Sequence, residues 1–241
     1  MTRLVRILLL LPLLLPVATR AQVTSSDCIA DLEKAFALYD AQVLMGQGGQ
    51  SRMRFTHQFI MRKDEEGKTV TQEESMVYGP KFYRYDTPEF LEVSDAAEGF
   101  HWRKHQRVVY RMGSSVSKSA QWIPGMDKGF FQTCVARLCE FREAPGKDTL
   151  RYKHAILNVS PEGQKKYQIR EMELLWNPIT YELVTIGVSF TERSIYKWAQ
   201  WDIHSVGPQE PGYPVDAKAG FLDGGGKLLP DFNGVELQDV R

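Results

Sequence analysis

The chain has 241 residues, 30 of them basic and 30 acidic, so its formal net charge is zero, and 43% of it is hydrophobic. That balance supplies no field to hold a polyanion, which argues against a nucleic-acid partner, while the length suffices for a full core, most simply as one domain. Three cysteines (28, 134, 139) are too few for a disulfide scaffold, and their odd number leaves at least one unpaired in a monomer.

The first elements fix the compartment. Arg3 and Arg6 form a basic start, Ile7 to Ala18 ("ILLLLPLLLPVA") an apolar run too short for a comfortable membrane span, and Thr19-Arg20-Ala21 a cleavage site ahead of Gln22. Residues 1–21 therefore read as a secretory signal peptide and 22–241 as the exported, soluble domain. Its loss removes three arginines and no acid, leaving 27 basic against 30 acidic residues. "SSDC" is no lipobox, so lipidation at Cys28 is not expected.

Ser26 or Asp27 caps an amphipathic helix carrying Ile29, Leu32, Phe36, Tyr39 and Val43, which "GQGG" at 46–49 stops. Period two follows: Met53, Phe55, His57, Phe59 and Met61 alternate with Arg52, Arg54, Thr56, Gln58 and Ile60, a strand with one buried face. Residues 69–78 make its return strand, and short strands follow at 81–86, 89–93 and 100–112. From about Asp127 the spacing of Phe130, Phe131, Val135 and Leu138 predicts a short helical insert. Strands resume at 149–159, 165–176, 181–191 and 195–206, with Asn177-Pro178 as a turn, and a Gly/Pro-rich extended tail runs from Gly207. The order predicts an α+β fold: a curled antiparallel sheet forming an incomplete β-barrel, covered by the N-terminal helix and the insert.

In "FHWRKHQRVVYRM" (100–112) the even positions hold Phe100, Trp102, Val108, Tyr110 and Met112, and the odd ones His101, Arg103, Arg107 and Arg111. Read as one strand, the aromatics face inward and the cations form a wet outside, so the arginines cannot share a base-stacking surface with the aromatics. His101 and His105 would sit about 13 Å apart on a strand, too far to share an ion, and a turn at 104–106 would bring them together with no third ligand nearby in sequence. His57, within an apolar parity, reads as a hydrogen-bonded core histidine. Cys134 and Cys139 would diverge by about 140° on a helix. A bridge from Cys28 therefore stands beside one between those two, and beside none. G-x-S-x-G, H-E-x-x-H, C-x-x-C and a glycine-rich phosphate loop are all missing, so neither an enzyme, a metal nor a cofactor is expected. What the strands do offer is a load of large flexible side chains: Met53, Phe55, Phe59, Met61, Met76, Tyr78, Phe100, Trp102, Tyr110, Met112, Trp176, Trp198 and Trp201. On one concave face, these suit an apolar, shape-tolerant ligand such as an acyl chain.

"FTHQF", then "MVYGPKFYRYDTPEFLEVSDAAEGFHWRKHQRVVYR", with "MELLWNPITYELVTIGVSF" and the closing "FNGVELQDVR", resembles the LolA-type lipoprotein carriers, a family that includes LolB- and RseB-like proteins. The resemblance implies a periplasmic, monomeric, non-enzymatic chaperone. Its cavity, lined by Met53, Phe55, Phe59, Met61, Met76, Tyr78, Phe100, Trp102, Tyr110, Met112 and Trp176, would hold the acyl chains of a lipoprotein or other lipid. A lid region at Phe130 and Phe131, and inner- and outer-membrane receptors, belong to the same expectation. A lipid- or stress-sensing module regulating a membrane partner is the alternative. Two departures bear on the lid: the family's Ser-Asp-Gly turn is stretched to Ser94–Gly99, and its arginine before the proline is replaced by Gly79 before Pro80, with Arg84 nearby.

Overall fold

Leu32 and Ala35 are buried along one side of α1 (Ser25–Ala37), whereas Glu33 and Lys34 face solvent on the other, as the helical spacing requires. A computed structural model describes this helix and, in all, residues 25–37, 51–64, 66–79, 81–114, 129–144, 147–208 and 216–241. The signal peptide, Tyr39, Val43, "GQGG" and Pro80 lie outside the described residues.

The strands are β1 (Ser51–Met61), β2 (Thr69–Gly79), β3 (Phe82–Asp86), β4 (Phe90–Asp95), β5 (Glu98–Arg103), β6 (Val108–Gly113), β7 (Cys134–Ala144), β8 (Lys147–Val159), β9 (Ile169–Trp176), β10 (Leu183–Phe190), β11 (Tyr196–Pro208) and β12 (Glu236–Asp239). A second helix, α2 (Pro161–Tyr167), links β8 to β9. All twelve strands form one sheet in the order β12-β6-β5-β4-β3-β2-β1-β11-β10-β9-β8-β7, with every pair antiparallel except β12 with β6. The first and last strands in that order do not pair with each other, so the sheet curls without closing. The expected α+β fold with an incomplete barrel is thus observed.

Three local expectations are corrected. The segment after Gly129 is one 3-10 turn (Phe131–Thr133) and then the strand β7, so Val135 and Leu138 are strand residues and the insert supplies no helix there. Cross-strand pairing with β8 outweighs the ambiguous spacing of "TCVARLC". Helix α2 takes the first three residues of the strand expected at 165–176, and its start is spelled out in the chain: Ser160 accepts from the Gly163 N–H, and Pro161 follows at the first helical position. Finally, "FHWRKHQRVVYRM" is a hairpin, β5-turn-β6, with Arg107 in the left-handed region at φ 54°.

Residues opposed across antiparallel strands share a face, which lets the sheet be traced side by side. One face, here the inner, carries Met53, Met76 and Tyr85 in register across β1, β2 and β3. On β11 to β8 it carries Trp201, Ile186, Leu174 and Ala155. Helix α1 lies on this face, bound to β7 by a disulfide between Cys28 and Cys139 (Cα–Cα 6.2 Å) that closes a 111-residue separation. Cross-linking so long a loop contributes about 2–4 kcal/mol by restricting the unfolded chain. Asp31 on α1 also ion-pairs with buried Lys153 of β8. Burial works against the Asp31 charge, but hydrogen bonds and charge from Lys153 and Lys34 hold its carboxyl below the ordinary aspartate value.

The outer face of β2 to β6 has its own core. Val77, Phe82, Leu91, Val93, Phe100 and Val109 pack against Phe221, Leu222 and Phe232 of the C-terminal tail. The tail is thus a strap with its own 3-10 turns, ending as β12 on the edge of β6. Arg107 fastens it by donating from Nη2 to the Asn233 carbonyl at 3.0 Å.

Candidate functional site

Beneath α1 the inner face is filled by the protein's own side chains. Met53, Phe55, Met76, Tyr78 and Trp176, all expected to line a cavity, form one buried cluster with Leu32 and Ala35 of α1. Phe130 and Phe131, expected in a lid, are buried members of that cluster. Phe131 lies against Phe36 (ring centroids 4.9 Å) and Phe130 against Tyr167 of α2 (5.1 Å).

At the margin of this cluster is a buried polar group. Glu74, opposite Phe55 on β2, accepts from the Tyr85 hydroxyl and lies 3.0 Å from His57 Nδ1. The His57 ring stacks on Trp201 (4.9 Å, 11°) and touches Phe59 (4.9 Å), confirming the reading of a hydrogen-bonded core histidine. Its Nε2 has no hydrogen-bond partner among the described residues. Burial pushes the Tyr85 hydroxyl well above the ordinary tyrosine value, and the Glu74 charge and hydrogen bond push the same way. Glu74 is therefore held among apolar groups by two directed partners, which a buried carboxylate requires.

Past α1, toward β6, the inner face opens. Phe59, Met61, Tyr85, Phe90, Tyr110 and Met112 are all half-buried on it. Aromatic contacts run continuously across this stretch: Phe55 to Tyr85 (6.5 Å), Tyr85 to Phe90 (5.4 Å, edge to face) and Phe90 to His101 (5.0 Å, stacked). The path ends at a cavity of about 260 Å³ lined by Glu89, Phe90, His101, Arg103, His105 and Gln106.

Four of the expected lining residues, Phe59, Met61, Tyr110 and Met112, are thus on the open stretch, and five are in the packed core. Phe100 and Trp102 are on the outer face. Phe100 stacks on Phe221 (5.0 Å) and Trp102 meets Phe232 edge to face (5.0 Å). The reason is the hairpin. Arg103 opposes Val108 and Trp102 opposes Val109, so even residues before the turn share a face with odd residues after it. His101 and Arg103, expected on a wet outside, are consequently on the inner face. His101 pairs with Glu92 at 3.5 Å, and the Arg103 guanidinium lies over the Tyr110 ring at 5.3 Å. Arg111 faces the other way and pairs with Glu98 (2.5 Å). Trp198, opposite Ile60, is on the outer face, and Trp201 is in the inner core. Arg84 is also on the outer face, bound to Asp86 at 2.9 Å. Among the described residues no group of three or more metal-ligating side chains converges.

Sequence reasoning missed Tyr85, Phe90 and Glu74. The first two carried a signal in the alternation Tyr83, Tyr85 and the turn before Phe90. Glu74 carried none, because a carboxylate in "TQEES" looks solvated until its partners are known.

No family model and no curated protein matches the chain. Similar solved structures include the lipoprotein LppX of Mycobacterium tuberculosis, 7% identical, with 80% of this chain and 100% of that one covered and a TM-score of 0.47. LprF from Mycobacterium bovis is 9% identical, with 81% and 97% covered and a TM-score of 0.43. A LolA superfamily protein from Nitrosomonas europaea is 9% identical, with 78% and 94% covered and a TM-score of 0.32.

Proposed function

We propose that the protein is an exported, non-enzymatic carrier that holds the acyl chains of a lipoprotein or other lipid on the inner face of its sheet during transfer between membranes. The observation that carries this reading is the half-buried stretch of Phe59, Met61, Tyr85, Phe90, Tyr110 and Met112, which continues the core beyond α1. Two methionines among aromatics make a surface that adapts to chains of different shape. Acyl burial supplies the affinity, at about 0.8 kcal/mol per CH₂ removed from water. The sequence resemblance to LolA-type carriers supports the same reading, as does the chain's lack of a catalytic motif. Because the Cys28–Cys139 bridge and the Asp31–Lys153 pair fix α1 over β7 and β8, the ligand enters from the β3–β6 side. Release then needs a receptor that favours the empty state.

The test is uptake of a fluorescent acyl probe, with native mass spectrometry of the purified protein for co-purified lipid. Met112→Glu and Phe59→Glu should abolish uptake while the protein stays folded. A lipid-free protein that takes up no probe would refute the proposal. Transfer of a lipoprotein between vesicles then separates a carrier from a sensor that binds lipid without moving it.

A further inference from the structure

The cavity at the end of the aromatic path differs in chemistry from the half-buried apolar stretch that leads to it. Three side chains there offer N–H donors to an anion: Arg103, His101 and His105. His101 is held by Glu92 through Nδ1 and stacked on Phe90, which leaves its Nε2 edge for a ligand, and that edge donates to an anion when the imidazole carries both protons. Arg103 is set by two contacts, the Tyr110 ring beneath it and a 3.3 Å bond to Gln106 Oε1. On the same wall stands one carboxylate, Glu89, whose Oε1 accepts from Gln72 Nε2 at 3.4 Å and which has no cationic side chain within salt-bridge distance among the described residues. A simple anion would be repelled by Glu89, and a simple cation by Arg103. A group carrying both charges satisfies both.

We infer that this cavity binds a zwitterionic phosphate–amine headgroup. The phosphate sits against Arg103, His101 and His105, and the ammonium against Glu89. Phosphate accepts charge-assisted hydrogen bonds from a guanidinium and from imidazole N–H groups, and an ammonium needs an acceptor close by. The volume of about 260 Å³ falls just below the range of sites for drug-sized molecules, so it admits a headgroup and leaves the chains outside. The chains then follow Phe90, Tyr85 and Phe59 along the inner face, in contact with the headgroup site through the Phe90 ring. This rests on the acyl-binding proposal and names the ligand class for it.

The experiment compares diacylglycerol, phosphatidylglycerol and phosphatidylethanolamine of identical chains, with free phosphoethanolamine as a fourth arm, on the wild type and on Glu89→Gln and Arg103→Gln. Phosphatidylethanolamine should bind about tenfold more tightly than diacylglycerol, the order of magnitude of a charge-assisted contact pair. Arg103→Gln should remove the advantage of both phospholipids, and Glu89→Gln only the advantage of phosphatidylethanolamine over phosphatidylglycerol. Equal affinity for diacylglycerol and phosphatidylethanolamine would overturn this inference while leaving acyl binding intact. Binding of none of the lipids would overturn both. Free phosphoethanolamine binding as tightly as the lipid would assign the cavity to a soluble ligand and overturn its lipid role.

Discussion

Replacing Phe100 by alanine should destabilise the protein strongly without touching its lipid face. The ring has no solvent exposure. It stacks at 5.0 Å and 11° on Phe221, which stacks at 5.0 Å on Phe232, and the Arg111 guanidinium lies 5.9 Å from its centre. Truncating a buried phenylalanine leaves a cavity and typically costs about 3–5 kcal/mol. A domain of this size has about 5–15 kcal/mol in all and a urea slope near the upper end of about 1–3 kcal/mol per molar. The midpoint should therefore fall by about 1–2 M. The assay is urea unfolding followed by tryptophan fluorescence, paired with acyl-probe titration in the absence of urea. Probe affinity should match the wild type, because Phe100 points to the tail strap and not to the inner face. Phe59→Ala is the counterpart: a half-buried ring whose loss should weaken the probe more than the fold. If Phe100→Ala lost probe affinity while keeping its urea midpoint, the division of the sheet into two faces would be wrong.

Removing the bridge with Cys28→Ala should lower stability by about 2–4 kcal/mol in a non-reducing melt, and reductant should then change the wild type but not the variant. Cys134 is free, and burial pushes its thiol up to about 11, so at pH 8 the native protein should react slowly with a thiol reagent and release one equivalent only on unfolding. Burial likewise raises the hydroxyls of Tyr83 and Tyr85 above the ordinary value near 10. Above about pH 9–10 the unfolded chain sheds protons that the folded chain keeps, so stability should fall as pH rises, by up to about 1.4 kcal/mol per pH unit for each group. Tyr85→Phe should flatten that slope when urea midpoints are compared from pH 8 to 11, and an unchanged slope would count against the buried hydroxyl.

The chain announced its periodic elements well. The buried side of α1 and the inner parity of β1 were legible because one helix stripe and one strand parity each had a single solution. The hairpin within 100–112 was not, because "KHQR" contains no Gly, Pro, Asn or Asp, and Arg107 takes a left-handed φ without them. Alternation read straight through the segment put Phe100 and Met112 on one side. Helix α2 was missed despite a readable Ser-Pro start, because period two resumed on either side of it. Of the candidate site, Phe59, Met61, Tyr110 and Met112 were named from sequence. The charged cavity was not, since it depends on β5 folding back so that Arg103 and His105 meet Glu89 across the turn.

The strand order also sets a schedule for synthesis. At the centre of the sheet β1 pairs with β11, so residues 51–61 must wait for residues 196–208. A chain emerging from its N-terminus meanwhile presents one side of β1 as an unpaired, apolar-faced edge, the kind that recruits other chains. Cys28 waits too, and the first thiol to reach it is Cys134, which emerges before the correct partner Cys139. Newborn chains should thus pass through a window in which a wrong bridge is chemically open. The Cys28–Cys139 bridge of the finished fold closes it.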